Sequence, residues 1–388
     1  MCEIQDDKPK PIIGTRTIPV KEAVGTVLAH DITEIRPGEF KGRAFRKGHV
    51  IREEDVCHLQ RLGKEHLYVL NIAEDEMHED DAAFALSKAL MGEGVKIKGA
   101  PKEGKITLTA EKDGLLRVNK EALLAFNMLG EVMCSTLHNN TVVRTGQAIA
   151  GTRAIPLVVK RRIIEEAVKI CRITPPSNPD LGNQGRSEGV ISVKVIRRPK
   201  AGIVITGNEV YYGKVKDAFA PVITGKIKSF QGEVVGIYYA PDDKAFIEKR
   251  LRELIEAGAD LLITTGGMSV DPDDVTRYAI RNLGATEITY GSAVLPGAML
   301  LVAYIEEGGR DLGSGVSEKP IPNPQILIPV LGIPACGMYS KTTVFDLVLP
   351  RLLAGERIGR RELAELGHGG LCMKCEACTY PVCPLGKG

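Results

Sequence analysis

The chain lacks an excess of charge of either sign. Its 388 residues include 51 Lys and Arg against 49 Asp and Glu, which gives a formal net charge of +2. Proteins that bind nucleic acid through its phosphates usually carry a clear basic excess. We therefore expect no nucleic-acid partner, and the basic stretches at residues 160–162 and 194–200 are typical of solvated faces.

The sequence also lacks an export signal and an unbroken membrane-spanning run. Residues 1–10 are polar and acidic, without the apolar centre of a signal peptide. An uncharged run of eighteen residues, 288–305, has membrane length, but Pro296 and Gly297 interrupt it. We expect strand, turn and strand there, no membrane contact and a cytoplasmic location. Nine cysteines without a signal peptide favour reduced thiols or metal ligands over disulfides.

The length and the 44% hydrophobic content suffice for two or three domains of about 150 residues each. An acidic run at 74–81 and a segment rich in Pro, Asn and Gly at 174–189 are typical of boundaries. We predict an N-terminal α+β domain at 1–80, a second mixed domain with its linker at 81–189, an α/β domain at 190–357 and a Cys-rich tail at 358–388.

The first two domains show short, mixed patterns. Capping residues and apolar spacing predict helices at 20–30, 53–62, 120–135 and 156–173. Short apolar runs between glycines predict strands at 66–70, 95–97, 106–110 and 115–118.

A regular alternation of strands and helices follows. Strands are predicted at 201–206, 233–240, 260–264 and 326–331, and helices at 219–230, 244–257, 275–283 and 340–353. Continuous apolar runs are typical of buried parallel strands, so we predict an α/β fold with a parallel, helix-sandwiched sheet. Ligands bind such sheets at the carboxyl ends of the strands. The loops at 206–209, 264–276 and 332–337 should therefore meet at one edge.

The loop after the strand at 260–264 contains the most informative residues. Gly266 and Gly267 have no Cβ, so backbone amides there can approach an anion, and a helix start points the same way. That helix start is formed by Asp271, Pro272, Asp273 and Asp274. A phosphate surrounded by carboxylates needs a divalent cation between them, and Mg²⁺ binds in this manner. Helix capping without any ligand is the alternative explanation.

Four motifs in this order resemble the molybdopterin-binding domain shared by molybdopterin molybdenumtransferases and molybdopterin adenylyltransferases. Thr206-Gly207-Asn208-Glu209 resembles the family's Thr-Gly-Asp/Asn-Glu loop, and residues 265–276 resemble its Thr-Gly-Gly signature with the downstream Asp. Leu295-Pro296-Gly297 resembles the Lys-Pro-Gly turn, and Gly332-Ile333-Pro334 the Gly-Leu-Pro turn. Residues 20–31 resemble the opening helix of the molybdenumtransferase, so the resemblance is closer to that multi-domain enzyme.

The resemblance implies a role in molybdenum cofactor biosynthesis. In this family the domain binds the pterin with its phosphate, Mg²⁺ assists cleavage of adenylated molybdopterin to release AMP as molybdate enters, and homodimers are common. Asp274 and Glu209 would hold Mg²⁺ or orient the attacking oxyanion. The residues that would contact the pterin and its phosphate are Thr206, Gly207, Asn208, Thr265, Gly266, Gly267, Ser269, Pro296, Gly297 and Pro334.

Three features differ from the family pattern. The family's Asp-Gly-Tyr-Ala motif has no evident counterpart, Asn208 stands where an Asp can occur, and Pro334-Ala335-Cys336-Gly337 replaces Pro-Gly-Asn-Pro. Two alternatives to a molybdenumtransferase therefore stay open. One is a non-catalytic molybdopterin carrier that serves a molybdoenzyme, and the other is a molybdopterin adenylyltransferase.

The tail concentrates four cysteines just before Pro384, at spacings of two, two and four residues, namely Cys372, Cys375, Cys378 and Cys383. Four thiolates satisfy one tetrahedral zinc ion or one four-iron cluster. The spacing is close to the bacterial ferredoxin pattern but not identical. We predict a metal site, with zinc and iron–sulfur both open and free thiols as the alternative.

Overall fold

The computed structural model describes residues 15–36, 40–70, 72–172, 189–268, 275–306 and 327–387. The chain divides into two compact units between residues 194 and 195, except that residues 140–142 group with the second unit. Within these described ranges, no helix has both the length and the apolar character needed to span a bilayer. The bounds of the four domains given above stay a prediction.

The described elements up to residue 194 are short and mixed. The strands are β1 (Thr15–Pro19), β2 (Ile32–Arg36), β3 (Phe40–Phe45), β4 (His66–Leu70), β5 (Glu76–His78), β6 (Val95–Lys102), β7 (Lys105–Ala110), β8 (Gly114–Val118), β9 (Val132–Thr136), β10 (Val142–Val143), β11 (Ala148–Ala154), β12 (Val158–Lys160) and β13 (Ile191–Lys194). The helices are α1 (Glu53–Arg61), α2 (Glu79–Leu90), α3 (Lys120–Asn127) and α4 (Arg161–Arg172).

Antiparallel pairing dominates the first unit. Strand β1 pairs with β4, β2 with β3, β5 with β12 and β8 with β13, while β6, β7, β11 and β9 form a four-stranded sheet in that order. One hydrophobic core lies around Leu59, and a larger one, around Leu86 and Phe126, packs α2 and α4 against the four-stranded sheet. This mixture of helices and antiparallel sheets confirms the predicted α+β character.

The predicted helix at 20–30 is wrong, because only Val20–Glu22 form a helical turn, of the 3₁₀ type. Gly25 has a φ of 83°, which ends the helical path. The following backbone pairs with a distant segment instead: Gly25 N–H donates to Ile51 O at 2.8 Å and Leu28 N–H to His49 O at 2.9 Å. Tertiary pairing thus outweighs a weak local helix propensity.

The predicted helix at 120–135 is wrong in its second half. Helix α3 ends at Asn127, whose side chain accepts from Cys134 N–H at 2.8 Å and donates to Cys134 O at 3.0 Å. Gly130, at a φ of 79°, turns the chain between the helix and β9. Residues 132–136 therefore join the sheet beside β11.

The second unit shows the predicted alternation of strands and helices. Its elements are β14 (Lys200–Thr206), α5 (Asn208–Tyr211), α6 (Phe219–Ser229), β15 (Glu233–Ala240), α7 (Lys244–Glu256), β16 (Leu261–Thr265), α8 (Thr276–Asn282), β17 (Thr286–Tyr290), β18 (Leu301–Glu306), β19 (Leu327–Ile333), α9 (Cys336–Tyr339), α10 (Val344–Leu353) and α11 (Arg360–Glu365).

These strands form one six-stranded sheet in the order β15, β14, β16, β19, β18, β17. Strand β18 runs opposite to the other five strands and is antiparallel to both of its neighbours. Strand residues such as Ile263 pack on one face with α6 and α10, and Leu262 packs on the other face with α7 and α8. Because side chains alternate along a strand, a strand covered on both faces must be apolar throughout. The predicted helix-sandwiched sheet is confirmed.

Candidate functional site

The loops singled out by sequence lie at one edge of the six-stranded sheet, which we call the carboxyl edge. Strand register pairs Thr265 with Ile205 on one side and with Ile333 on the other, so β14, β16 and β19 end together. The antiparallel strand β18 starts at the same edge, with Leu301 opposite both Gly332 and Tyr290. The loops at 207–209, 266–268, 291–300 and 334–339 therefore all leave the sheet here.

The loop after β14 is held by the loop after β15, through Asp242, rather than by the short helix α5. Gly207 has a φ of 132°, and a Cβ atom there would lie 2.8 Å from Glu209 Oε1. Asn208 N–H donates to Asp242 Oδ2 at 3.0 Å, and Asp242 N–H donates to Asn208 Oδ1 at 3.2 Å. This exchange fixes the Asn208 side chain in the fold, while the Glu209 side chain is exposed.

Thr206 joins three elements beneath this loop. Its buried hydroxyl donates to Thr265 O at 2.8 Å and lies 3.2 Å from the Thr276 hydroxyl. Strands β14 and β16 and helix α8 are therefore linked through one oxygen atom. The ends of these three elements carry the predicted phosphate loop.

The glycine turn after β16 packs tightly against these threonines. Gly266 and Gly267 have φ values of 82° and 57°. A Cβ atom at Gly266 would lie 2.5 Å from Thr206 O, and one at Gly267 would collide with the Thr276 hydroxyl. Both residues must be glycine for the backbone conformation and for this packing, whether or not a ligand is bound.

Met268 anchors the end of the described turn. Its side chain is buried against Gly332, where a Cβ atom would lie 2.8 Å from Met268 Sδ. Its carbonyl accepts a hydrogen bond from the Tyr290 hydroxyl. The chain is not described again until Val275, so the predicted residues Ser269, Asp271, Pro272, Asp273 and Asp274 lie outside the described residues.

Two threonine hydroxyls at the end of β16 have unmet hydrogen-bonding capacity. Thr264 and Thr265 are fully buried, and among the described residues neither hydroxyl has a hydrogen-bond partner. Leaving a buried hydroxyl unpaired costs roughly 1–3 kcal/mol, and such groups usually mark a missing water or ligand. Because side chains alternate along a strand, these hydroxyls lie on opposite faces of the sheet, and each is a separate polar group at the end of β16 that has no partner among the described residues.

The Pro296 turn rests on the start of helix α10. Val344 N–H donates to Pro296 O at 3.2 Å, and the Ser292 hydroxyl donates to Gly297 O at 3.1 Å. Gly297 has a φ of 123°, and a Cβ atom there would lie 3.0 Å from Val344 N. A side chain at Gly297 would therefore displace the turn from the helix.

The loop after β19 begins with a buried proline. Pro334 O accepts from Gly337 N–H at 2.9 Å, which starts the short helix α9. Cys336 is half-buried, and burial raises the pKa of its thiol above the ordinary value. The thiol that replaces the family's Asn is therefore uncharged near neutral pH.

The Cys-rich tail folds back onto the Pro296 turn. Leu295 N–H donates to Gly370 O at 2.9 Å, and Cys372 N–H donates to Leu295 O at 2.8 Å. All four tail cysteines and Pro296 line one cavity of about 300 Å³. The cysteines are free thiols, and no three His, Cys, Asp or Glu residues in the described ranges are placed to hold a metal ion.

Cys378 differs from its neighbours in the tail. The Thr342 hydroxyl lies 3.4 Å from Cys378 Sγ. This hydrogen bond, together with one from the backbone of Tyr380, holds the pKa of the exposed thiol below its ordinary value. The Cys378 thiol therefore loses its proton more readily than an ordinary exposed cysteine.

Sequence reasoning missed the contribution of Asp242 and Tyr290 to the site. Asp242 follows a predicted strand directly, in Pro241-Asp242-Asp243, and an acid at the carboxyl end of a parallel strand could have been noted on that ground. Tyr290 carries no local signal, because its contact with Met268 joins residues 22 positions apart.

Comparison with known proteins identifies a domain in each unit. Residues 202–354 match the family model described as "Probable molybdopterin binding domain". Residues 17–71 match the family described as "Domain of unknown function (DUF8806)".

Curated relatives match only part of the chain. A CinA-like protein of Mycobacterium tuberculosis is 40% identical over 89 residues, which cover 22% of this chain and 21% of the relative. A CinA-like protein of Mycobacterium leprae is 38% identical over 159 residues, which cover 39% of this chain and 36% of the relative. The chain therefore spans between about a fifth and just over a third of the length of these relatives.

Two solved structures from Pyrococcus furiosus are also similar. The tungsten cofactor synthesizing protein MoaB is 19% identical, with a TM-score of 0.29, and the match covers 40% of this chain and 91% of that one. A molybdenum cofactor biosynthesis protein is 14% identical, with a TM-score of 0.23, and the match covers 90% of this chain and 65% of that one.

Proposed function

We propose that this chain, whose residues 202–354 are a domain of the molybdopterin-binding family, binds molybdopterin or its adenylated form at the carboxyl edge. The observation that carries the proposal is the Gly266-Gly267 turn at the carboxyl edge, which follows two buried threonines, Thr264 and Thr265, whose hydroxyls have no hydrogen-bond partner among the described residues. Backbone amides in such a turn can approach an anion without interference from side chains. The phosphate of the pterin is the group that this end of β16 suits.

The proposed role is molybdenum cofactor biosynthesis, with molybdate insertion and release of AMP. Thr206 and Tyr290 keep the glycine turn in place through hydrogen bonds to Thr265 O and Met268 O. Glu209 presents an exposed carboxylate at the same edge. Because the turn is held by the fold before any ligand arrives, little reorganisation is needed during the reaction.

Mg²⁺ is the proposed metal at this edge, with Glu209 and Asp274 as its protein ligands. Carboxylate oxygens are the donors that Mg²⁺ takes from proteins, usually one or two of them together with substrate phosphates. Glu209 fits this requirement in type and exposure, and Asp274 lies outside the described residues. Bound there, Mg²⁺ would supply charge neutralisation for the phosphates.

The test is direct incubation with adenylated molybdopterin, molybdate and Mg²⁺. AMP release, measured by chromatography, is the expected result for an insertion enzyme. Binding of the pterin without AMP release would reject insertion, and absence of pterin binding would reject the proposal as a whole. A parallel incubation with ATP and molybdopterin tests adenylyl transfer, for which ATP consumption is the readout.

A non-catalytic carrier is the second candidate, and one observation favours it. The loop that starts at Pro334 presents an uncharged, half-buried thiol at Cys336, and this cannot supply the amide of the family's Asn. A carrier would retain molybdopterin without turnover and would co-purify with the molybdoenzyme that it serves. Deletion of residues 372–383 would abolish that co-purification if the tail forms the contact.

The proposal also includes a cytoplasmic location, from the lack of an export signal, and a homodimer, which the resemblance to the family implies. Light scattering after size-exclusion chromatography gives the mass of the protein in solution. A mass near 42 kDa would indicate a monomer and would contradict this part of the proposal.

A further inference from the structure

The Cys-rich loop, residues 371–385, is closed at its base. Gly386 N–H donates to Gly369 O at 3.0 Å, and Leu295 bonds to both Gly370 and Cys372 through its backbone. Leu385 is buried in the core of the second unit. The two ends of the loop are therefore fixed close together, and most of the entropy of closing it is already lost.

The exposed part of the loop, residues 373–379, has little of its own to keep it ordered, whereas Tyr380 beyond it packs on the core and donates from its hydroxyl to Asp346 O at 3.0 Å. No helix or strand is present between residues 373 and 387. Apolar side chains on it face solvent, since Met373 is 71% exposed and Val382 is 84% exposed. Ordering one residue costs roughly 1–2 kcal/mol of backbone entropy, and segments without a core usually depend on disulfides or metals. The four cysteines are free thiols, so they are available as metal ligands.

Two of the four sulfur atoms already have a hydrogen-bond partner outside the cysteines. Lys374 N–H donates to Cys372 Sγ at 3.5 Å. The φ angle of Lys374 is 51°, which is unusual for a residue other than glycine. The Thr342 hydroxyl lies 3.4 Å from Cys378 Sγ. Donors of this kind orient thiolate ligands and offset their charge in metal sites.

The cavity wall also offsets negative charge. Lys341 and Lys374 line it together with one carboxylate, that of Glu376. Four thiolates around a zinc ion carry a net charge of about −2, which requires positive neighbours when the site is partly enclosed. At about 300 Å³ the cavity has room for a single ion or for a small cluster.

We propose that Cys372, Cys375, Cys378 and Cys383 bind one thiolate metal centre, either a zinc ion or a four-iron cluster, which fixes the tail against the Pro296 turn. The thiols share one cavity but do not stand at coordination distance from one another. Residues 373–379 are exposed, so they are free to move inward when the centre forms. Binding would release the thiol protons to solvent, without any change in oxidation state for zinc.

The centre would also restrain the predicted pterin site. The N–H and the carbonyl of Leu295 both form hydrogen bonds with the tail, and Leu295 directly precedes Pro296. Loss of the centre would therefore remove one restraint on the turn at Pro296 and Gly297, which Val344 and Ser292 also hold. This second consequence rests on the proposed function, whereas the metal site itself does not.

Anaerobic purification followed by metal and sulfide analysis tests the metal site. We expect about one zinc per chain, or about four iron atoms with inorganic sulfide. Cys375→Ser should lose this metal, whereas Cys57→Ser, at an exposed cysteine of α1, should retain it. If the wild-type protein binds neither metal, even after reconstitution with Zn²⁺ or with Fe²⁺ and sulfide, or if Cys375→Ser retains the full amount, the proposal is rejected.

Hydrogen exchange tests the link to the turn. Metal removal by a chelator under reducing conditions should speed amide exchange at residues 295 and 370–386 by at least about tenfold, with α7 unaffected as an internal control. Equal exchange with and without metal would reject the link while leaving the metal site intact. Pterin binding is measured separately, so failure of the proposed function would not be mistaken for failure of this inference.

Discussion

At the scale of single residues, the motif that suggests ligand binding also serves the fold. Gly266 and Gly267 are required by positive φ angles and by contacts with Thr206 and Thr276. A sequence motif of this kind is therefore direct evidence for a backbone conformation and only indirect evidence for a ligand. The buried Thr264 and Thr265 hydroxyls, which have no partner among the residues that the structure describes, are the observation that favours the proposed ligand over a tightly packed turn alone.

Thr206→Val should reduce the free energy of unfolding by about 1–3 kcal/mol. The substitution keeps the shape but removes the hydroxyl, so Thr265 O loses a buried donor. Urea denaturation measures the change. Thr286→Val is the matched control: it removes a longer bond, 3.4 Å from the hydroxyl of an exposed threonine of β17 to Tyr304 O, and should change stability by less than about 0.5 kcal/mol. An equal effect of both substitutions would contradict the role assigned to Thr206.

Glu209→Gln should lower the rate of AMP release by about 10²-fold or more, with pterin binding little changed. The carboxylate is exposed, so its loss should not affect folding, and it acts through charge at the reacting phosphate. Glu233→Gln is the matched control, because Glu233 is an exposed residue at the opposite end of the same sheet. Unchanged AMP release in Glu209→Gln would remove Glu209 from the mechanism.

At the scale of elements, the start of helix α2 makes a contribution to the free energy of unfolding that depends on pH. Burial, with the nearby Asp80 carboxylate adding to it, raises the pKa of Glu79 from 4.5 to about 7. Arg153 Nη2 lies 3.6 Å from the Glu79 carboxylate and offsets this only in part. The folded state therefore holds a proton that the unfolded chain releases at lower pH.

The free energy of unfolding should fall as pH rises from about 4.5 to about 7. In that window Glu79 keeps its proton in the native state, whereas the unfolded chain has lost it. Glu79→Gln should remove the fall, so the variant should gain of the order of 1 kcal/mol relative to wild type between pH 5 and pH 8. Urea denaturation at both pH values measures this. Glu121→Gln, at the exposed start of α3, should show no such gain; an equal gain there would exclude Glu79 as the cause.

The sequence predicted the second unit better than the first for a physical reason. Strands β14 and β16 are buried on both faces, so they appear as unbroken apolar runs that need no tertiary information. The segment after Val20 forms only one helical turn because it pairs with residues 49–51, and such pairing leaves no local pattern. The same limit hid Asp242 and Tyr290, whose partners are 34 and 22 positions away.

In the tail, the spacing of the cysteines predicts the chemistry of the site but not where the site lies in the fold. Four cysteines within twelve residues indicate a metal site from sequence alone. Their placement beside Pro296 depends on the Leu295 backbone bonds, which join residues about 75 positions apart in the chain. The sequence therefore gave no reason to connect the tail with the pterin loops.

At the scale of the whole molecule, the division between residues 194 and 195 makes a further prediction. The six-stranded sheet has hydrophobic cores on both faces, built from residues beyond that point, and every described loop of the carboxyl edge also belongs to the second unit. A domain with its own core can fold alone.

Residues 195–388 expressed separately should therefore unfold cooperatively and retain molybdopterin binding within about tenfold of the full chain. Fluorescence of the released pterin measures binding, and circular dichroism measures folding. If the fragment folds but no longer binds, the first unit must contribute to the site, and the carboxyl edge alone would be insufficient for the proposed function.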